Sequence, residues 1–130
     1  MALMKFREPN QVKWVGSRPG HNGTQVLVQG AAENNTHTFY TVPVGQTFYW
    51  TFAAISYVGL AAGTVSLTIY DNLAAFVCYV AGDILVAAVN TPGRAFNMCP
   101  PLEIPAGYTI RLTSGAIGLR IRCIIHGWVE

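Results

Sequence analysis

Charge is what this chain has least of. Lys, Arg, Asp and Glu make up 11% of its 130 residues, against roughly 25% in an ordinary soluble domain. Between Arg18 and Arg94 there is no Lys or Arg at all, and only Glu33, Asp71 and Asp83 carry charge. The net charge of +2 is too small to announce a polyanionic partner by itself. A free monomer so short of charge would be poorly soluble, so much of its surface is expected to lie against neighbouring subunits.

Other shortages exclude further classes. The three cysteines, Cys78, Cys99 and Cys123, form no C-x-x-C pair, and an odd set with no export signal reads as buried, reduced thiols. Cys123-Ile124-Ile125-His126 has half of a zinc spacing but lacks a second pair. In a strand, positions 123 and 126 also point to opposite faces, so no metal is expected. His37-Thr38-Phe39 lacks the second histidine that a metal-bearing cupin would place there. Glu33, Asp71, Asp83 and Glu103 stand in turn or strand-edge contexts that turn formation explains, and no nucleophile has a marked base. No catalytic residue and no cofactor are therefore expected. The opening residues lack a hydrophobic stretch, so no export signal is expected. Phe48 to Tyr70 carries no charge, but Gly59, Gly63 and the interspersed Thr51, Ser56, Thr64, Ser66 and Thr68 fit two strands around a turn better than a membrane span.

Helical periodicity is missing too, and what stands in its place is alternation. Asn22-Gly23 is a tight-turn signal before a short strand, Thr24 to Gln29, with Gly30 to Asn35 read as a loop. Further strands are expected at Thr36 to Val42, at Gln46 to Val58 with a bend near Ala53-Ala54, and at Thr64 to Tyr70. Phe76 to Val80 and Ile84 to Val89 are read as a hairpin about Gly82-Asp83, and Asn90 to Pro101 as a long loop. Two stretches share a pattern: Val42-Pro43-Val44-Gly45-Gln46-Thr47-Phe48 and Ile104-Pro105-Ala106-Gly107-Tyr108-Thr109-Ile110. Proline ends one run and glycine turns the chain into the next strand. About eight such strands predict an all-β fold, a single jelly-roll-like antiparallel β-sandwich over residues 36–130. Residues 1–35 are read as an extended basic N-terminal arm with a short hairpin.

The last stretch is expected to close the fold as a hairpin. Tyr108, Ile110 and Leu112 on one arm, and Leu119, Ile121, Cys123 and Ile125 on the other, would share a buried face. Arg111, Arg120 and Arg122 would share the opposite one. Three clustered cations want an anionic partner. A carboxylate of an adjacent subunit, local acids on a solvated face, or nucleic-acid phosphate would serve, and the absence of an interleaved aromatic platform makes nucleic acid the less favoured. In the arm, Lys5, Arg7, Lys13 and Arg18 face a single acid, Glu8, and Trp14 offers an apolar anchor, so these residues are expected to lie on a partner. Trp50, Tyr57 and Tyr79 could serve a carbohydrate, but their positions within strands favour core or interface.

The apolar-Pro-x-Gly strand starters and the ending Ile125-His126-Gly127-Trp128-Val129-Glu130 resemble small jelly-roll virion proteins of tailed bacteriophages, over residues 36–130. The resemblance implies a non-enzymatic structural protein of the virion, made in the host cytoplasm, that decorates or cements a head. Its partners would be copies of itself, as a trimer, and a major capsid or other virion protein. A receptor-binding or glycan-binding module of a tail or fibre is the alternative. The charge deficit predicts self-association: sedimentation of the purified chain should give an oligomer whose mass is insensitive to salt, and a salt-independent monomer would contradict it.

Overall fold

Period-two alternation buries one side of a strand, and two sheets that each have one apolar side hide them against each other. The computed structural model has this arrangement and describes residues 23–59, 61–86 and 93–130. Among them are eight strands: β1 (Thr24–Glu33), β2 (Thr36–Thr41), β3 (Phe48–Gly59), β4 (Gly63–Tyr70), β5 (Phe76–Val86), β6 (Arg94–Ile104), β7 (Thr109–Ser114) and β8 (Leu119–Val129). They form two four-stranded antiparallel sheets, in the orders β1-β8-β3-β6 and β2-β7-β4-β5. First pairs with last, second with seventh, third with sixth and fourth with fifth. This is one long two-stranded ribbon rolled into a sandwich, the jelly-roll connectivity.

The space between the sheets is filled by Phe48, Trp50, Leu67, Ile104, Ile110, Leu112, Leu119, Ile121 and Ile125, all essentially inaccessible to solvent. The repeated Pro-x-Gly pattern is one turn used twice. Gly45 and Gly107 both take positive φ (75° and 81°), a region that side chains with a Cβ resist. Gln46 N–H donates to Pro43 O in one copy and Tyr108 N–H to Pro105 O in the other. The two turns lie side by side, since Val42 N–H donates to Tyr108 O and Gly107 N–H to Val42 O, both at 2.9 Å.

Three sequence expectations are overturned. Tyr108 to Ile125 is no hairpin: β7 pairs with β2 and β4, and β8 with β1 and β3, so the two lie in opposite sheets. The polar groups between them bond outward, Ser114 N–H to Asn35 O and Gly115 N–H to Thr64 O, where a hairpin would pair them with each other. Gly82-Asp83 does not turn the chain. Strand β5 runs through it, absorbing extra residues in three register shifts against β4, as bulges allow. The tyrosine ring of Tyr79 lies against Gly82, where an added Cβ would come within 2.7 Å of it. The loop expected up to Pro101 is largely strand β6. Its register against β3 jumps from Asn97 to Leu102, which keeps Pro100 and Pro101 out of the ladder on an edge strand.

Strand β1 is longer than its sequence reading and pairs with β8 along its whole length, from Thr24↔Val129 to Glu33↔Arg120. The sandwich therefore takes in residues ahead of position 36. In β3 the irregularity falls earlier than the bend expected near Ala53-Ala54: it is a bulge at Thr51, between Trp50↔Gly127 and Phe52↔His126. Before it, Phe48 and Trp50 point inward; after it, Ala53 and Ile55 do. The polar groups exposed by the irregularity find partners, Thr51 Oγ1 donating to His126 O (3.0 Å) and Trp50 Nε1 to Phe52 O (2.8 Å). Gly127 is required opposite, because a Cβ there would meet Tyr49 O and the Phe48 ring.

Leu67→Ala should lower the unfolding free energy by about 2–5 kcal/mol through transfer and cavity terms, read by urea denaturation. Val44→Ala, at a turn position that is 95% exposed, should leave the midpoint unchanged.

Candidate interaction surfaces

Because β7 and β8 belong to different sheets, the three-arginine face expected from sequence does not form. Ile110 and Leu112 are buried, so Arg111 points to the outer face of the second sheet; Ile121 and Cys123 are buried, so Arg120 and Arg122 point to the outer face of the first. The sandwich stands between them. Each arginine also has its own surroundings.

The Arg111 guanidinium sits 4.0 Å from the centroid of the Tyr70 ring, within cation–π range, and its Nε donates to Thr109 Oγ1 at 3.3 Å. Arg120 Nε lies 3.7 Å from Glu33 Oε1, and the other oxygen of that carboxylate accepts Gly118 N–H at 3.1 Å. Glu33 thereby ties the end of β1 to the turn before β8. This exposed pair adds little to stability by itself. Arg122 lies on the wall of a groove of about 550 Å³ on the outer face of the first sheet. Gln29 and Ala31 of β1, Ile124 of β8, and Ala54 and Ser56 of β3 line it as well. Lys5, Arg7, Lys13, Trp14 and Arg18 lie outside the described residues.

The sequence reading passed over an exposed apolar patch. Tyr70, Phe76 and Tyr79 form a chain of ring contacts, with centroids 5.9 Å and 5.0 Å apart, and Arg111 caps its inner end. Phe76 and Tyr79 are about half exposed, and neighbouring Leu73 is 84% exposed. The signal was available in the spacing of Tyr70, Leu73, Phe76 and Tyr79 around the Asp71 turn. Assigning Phe76 to Val80 to a paired hairpin arm hid the fact that β5 is an edge strand. Of the other aromatics weighed for ligands, Trp50 is core, and Tyr57 is half-buried with a hydroxyl that finds no partner among the described residues. Burial raises the Tyr57 pKa, and nearby Arg94 pulls it back down.

The thiols differ from their sequence reading. Only Cys123 is buried; Cys78 is half-buried and Cys99 exposed, because Cys99 falls in the unpaired stretch of β6. Cys123 and His126 point to opposite faces of β8, and no group of three metal-ligating side chains occurs among the described residues.

No protein-family model and no curated protein sequence matches this chain. Among solved structures, it is similar to a chain of the cyanophage Pam1 capsid asymmetric unit, with a TM-score of 0.53 and 14% sequence identity over 96% of this chain and 99% of that one. At that identity the likeness speaks to the fold alone, over nearly the full length of both chains.

Burial pushes the Cys123 thiol from its ordinary value of 9.0 up to about 12, so its neutral form is favoured in the folded chain. That contribution is complete below the ordinary value and lost as pH rises toward about 12. At mildly alkaline pH, iodoacetamide should therefore modify Cys99 quickly and Cys123 only after denaturant is added, as mapped by peptide mass spectrometry. Modification of Cys123 in the folded chain would contradict its placement.

Proposed function

We propose that this chain is a non-enzymatic structural protein of a bacteriophage virion, a decoration or cement protein that binds the head as a symmetric oligomer, a trimer, and is made in the host cytoplasm. The observation that carries the reading is the end-to-end likeness of its fold to a chain of a cyanophage capsid asymmetric unit. The charge deficit supports it, as does the exposed apolar surface around Leu73, Phe76 and Tyr79. A protein with so much uncharged surface gains by covering it against copies of itself and against a shell. Arm cations Lys5, Arg7, Lys13 and Arg18 are the proposed contacts to a major capsid or other virion protein. Arg111, Arg120 and Arg122 act as separate contacts on two faces, an arrangement that fits protein neighbours better than one strand of nucleic acid.

A second reading, a glycan-binding module of a tail or fibre, is favoured by one observation: the half-exposed ring of Tyr79 packs against Gly82, beside Phe76. Aromatic faces of this kind can stack on sugars.

Two experiments separate the readings. Deleting residues 1–20, or substituting Lys5→Ala together with Arg7→Ala in the full chain, should abolish sedimentation with phage particles; unchanged attachment would count against the cement reading. Specific binding on a glycan array that disappears in Tyr79→Ala would favour the second.

A further inference from the structure

The outer face of the first sheet carries one unpaired charge toward each end and none between. Arg122 stands in a cross-strand row with Ala31 and Ser56, and Glu103 in a row with Tyr49 and Trp128; both charged residues are exposed. Among the described residues the ion pair within the chain joins Arg120 to Glu33, which leaves Arg122 and Glu103 with no opposite charge beside them. The two rows that separate them contain no Lys, Arg, Asp or Glu, and His126 is their one titratable side chain. Ile124 and Leu27 stand in these rows, 37% and 69% exposed, with Ala54 and Phe52 of β3 beside them.

The positions of the two charges decide what such a face can meet. At about 3.3 Å per residue and about 4.8 Å per strand, Glu103 lies roughly 20 Å along the strands and roughly 10 Å across them from Arg122. Consider a two-fold axis in the plane of contact, midway between the two and at right angles to the line that joins them. It crosses β3 between Phe52 and Ala54. Turning a second chain about it lays Glu103 of the copy on Arg122, and Arg122 of the copy on Glu103. Other positions then match without adjustment: Ile124 meets Phe52 of the copy, and Leu27, close to the axis, meets Leu27. Tyr49 of the copy arrives beside Glu103, over the groove of about 550 Å³ that Gln29 and Ala31 share with Arg122.

We infer that the outer face of the first sheet is an isologous two-fold interface between copies of this chain, with Arg122 paired to Glu103 of the other copy at both ends and Leu27, Phe52 and Ile124 closing the middle. Charge complementarity fixes the orientation. An axis laid along the line between the charges would instead oppose Arg122 to Arg122 and Glu103 to Glu103, which like charges disfavour. Face-to-face packing of sheets is the arrangement the sandwich itself uses, and an uncharged centre is what the core of an interface requires. The inference rests on the self-association proposed above and adds a two-fold contact to the three-fold one.

Charge exchange tests it in the full-length chain. At fixed micromolar concentration and fixed salt, Arg122→Glu and Glu103→Arg should each halve the sedimenting mass, since each sets like charges together at both ends. The double variant should restore it. Leu27→Arg leaves both charges in place but opposes two cations at the axis, and should halve the mass as well. All three positions are exposed, and circular dichroism checks folding. Single variants with the wild-type mass would overturn the inference and leave self-association standing, whereas a monomeric wild type would overturn self-association and the inference with it. Halving in both singles without recovery in the double would overturn the pairing of Arg122 with Glu103. Singles that keep their mass yet stop sedimenting with phage particles would assign the face to a virion neighbour and overturn the second copy as its occupant.

Discussion

The pairing of the last strand on both of its edges is the interaction on which this sandwich depends. Strand β8 is bonded to β1 on one side and β3 on the other for nearly all of its length. Its end is fixed by the exchange between Glu130 and Thr47, N–H to O in both directions. A strand held on two sides has no freedom to slip, because a shift by one residue would turn Ile121, Cys123 and Ile125 out and Arg120 and Arg122 in. The core and one outer face are therefore specified together by a single alternating run.

Much of that was legible in the sequence. Alternation assigned inward and outward faces of residues 108–125 as the structure has them, and the Pro-x-Gly repeat marked two turns that prove to be neighbours. The partners of each strand were not legible. Alternation says which side of a strand is buried and nothing about which strand lies beside it. Two consecutive alternating runs separated by Ser114 to Gly118 satisfy a hairpin and a crossing between sheets equally well. Only the long-range bonds from Ser114 and Gly115 to Asn35 and Thr64 decide between them. Glycine and proline misled for a related reason. Gly82 is needed for the close approach of a ring, and Pro100 and Pro101 occupy a break in register, so both carried turn signals inside strands.

The candidate surfaces were less legible than the fold, since they depend on neighbours across strands. The three arginines looked alike in sequence, yet one stacks on Tyr70, one meets Glu33 and one borders a groove. The apolar patch at Leu73, Phe76 and Tyr79 exists because β5 is the last strand of its sheet among the described residues, a property of topology. Low charge, by contrast, is a property of composition, and the structure shows where it is felt: outer faces carrying threonine, alanine and aromatic side chains in positions that many soluble sandwiches give to Lys and Glu.

The bulge at Thr51 gives β3 something like a reading frame. Upstream of it the even-numbered residues face the core and downstream the odd-numbered ones do, so the strand carries two patterns joined by a single inserted position. Drawing Thr51 into the regular ladder, by contrast, would leave every side chain chemically intact while pointing Phe52 and Ala54 inward and Ala53 and Ile55 to solvent. Substitution along this strand is thus a local matter of size and polarity, whereas gain or loss of one residue away from the bulge is felt along the whole remainder. Its descendants should vary in letters far more readily than in count.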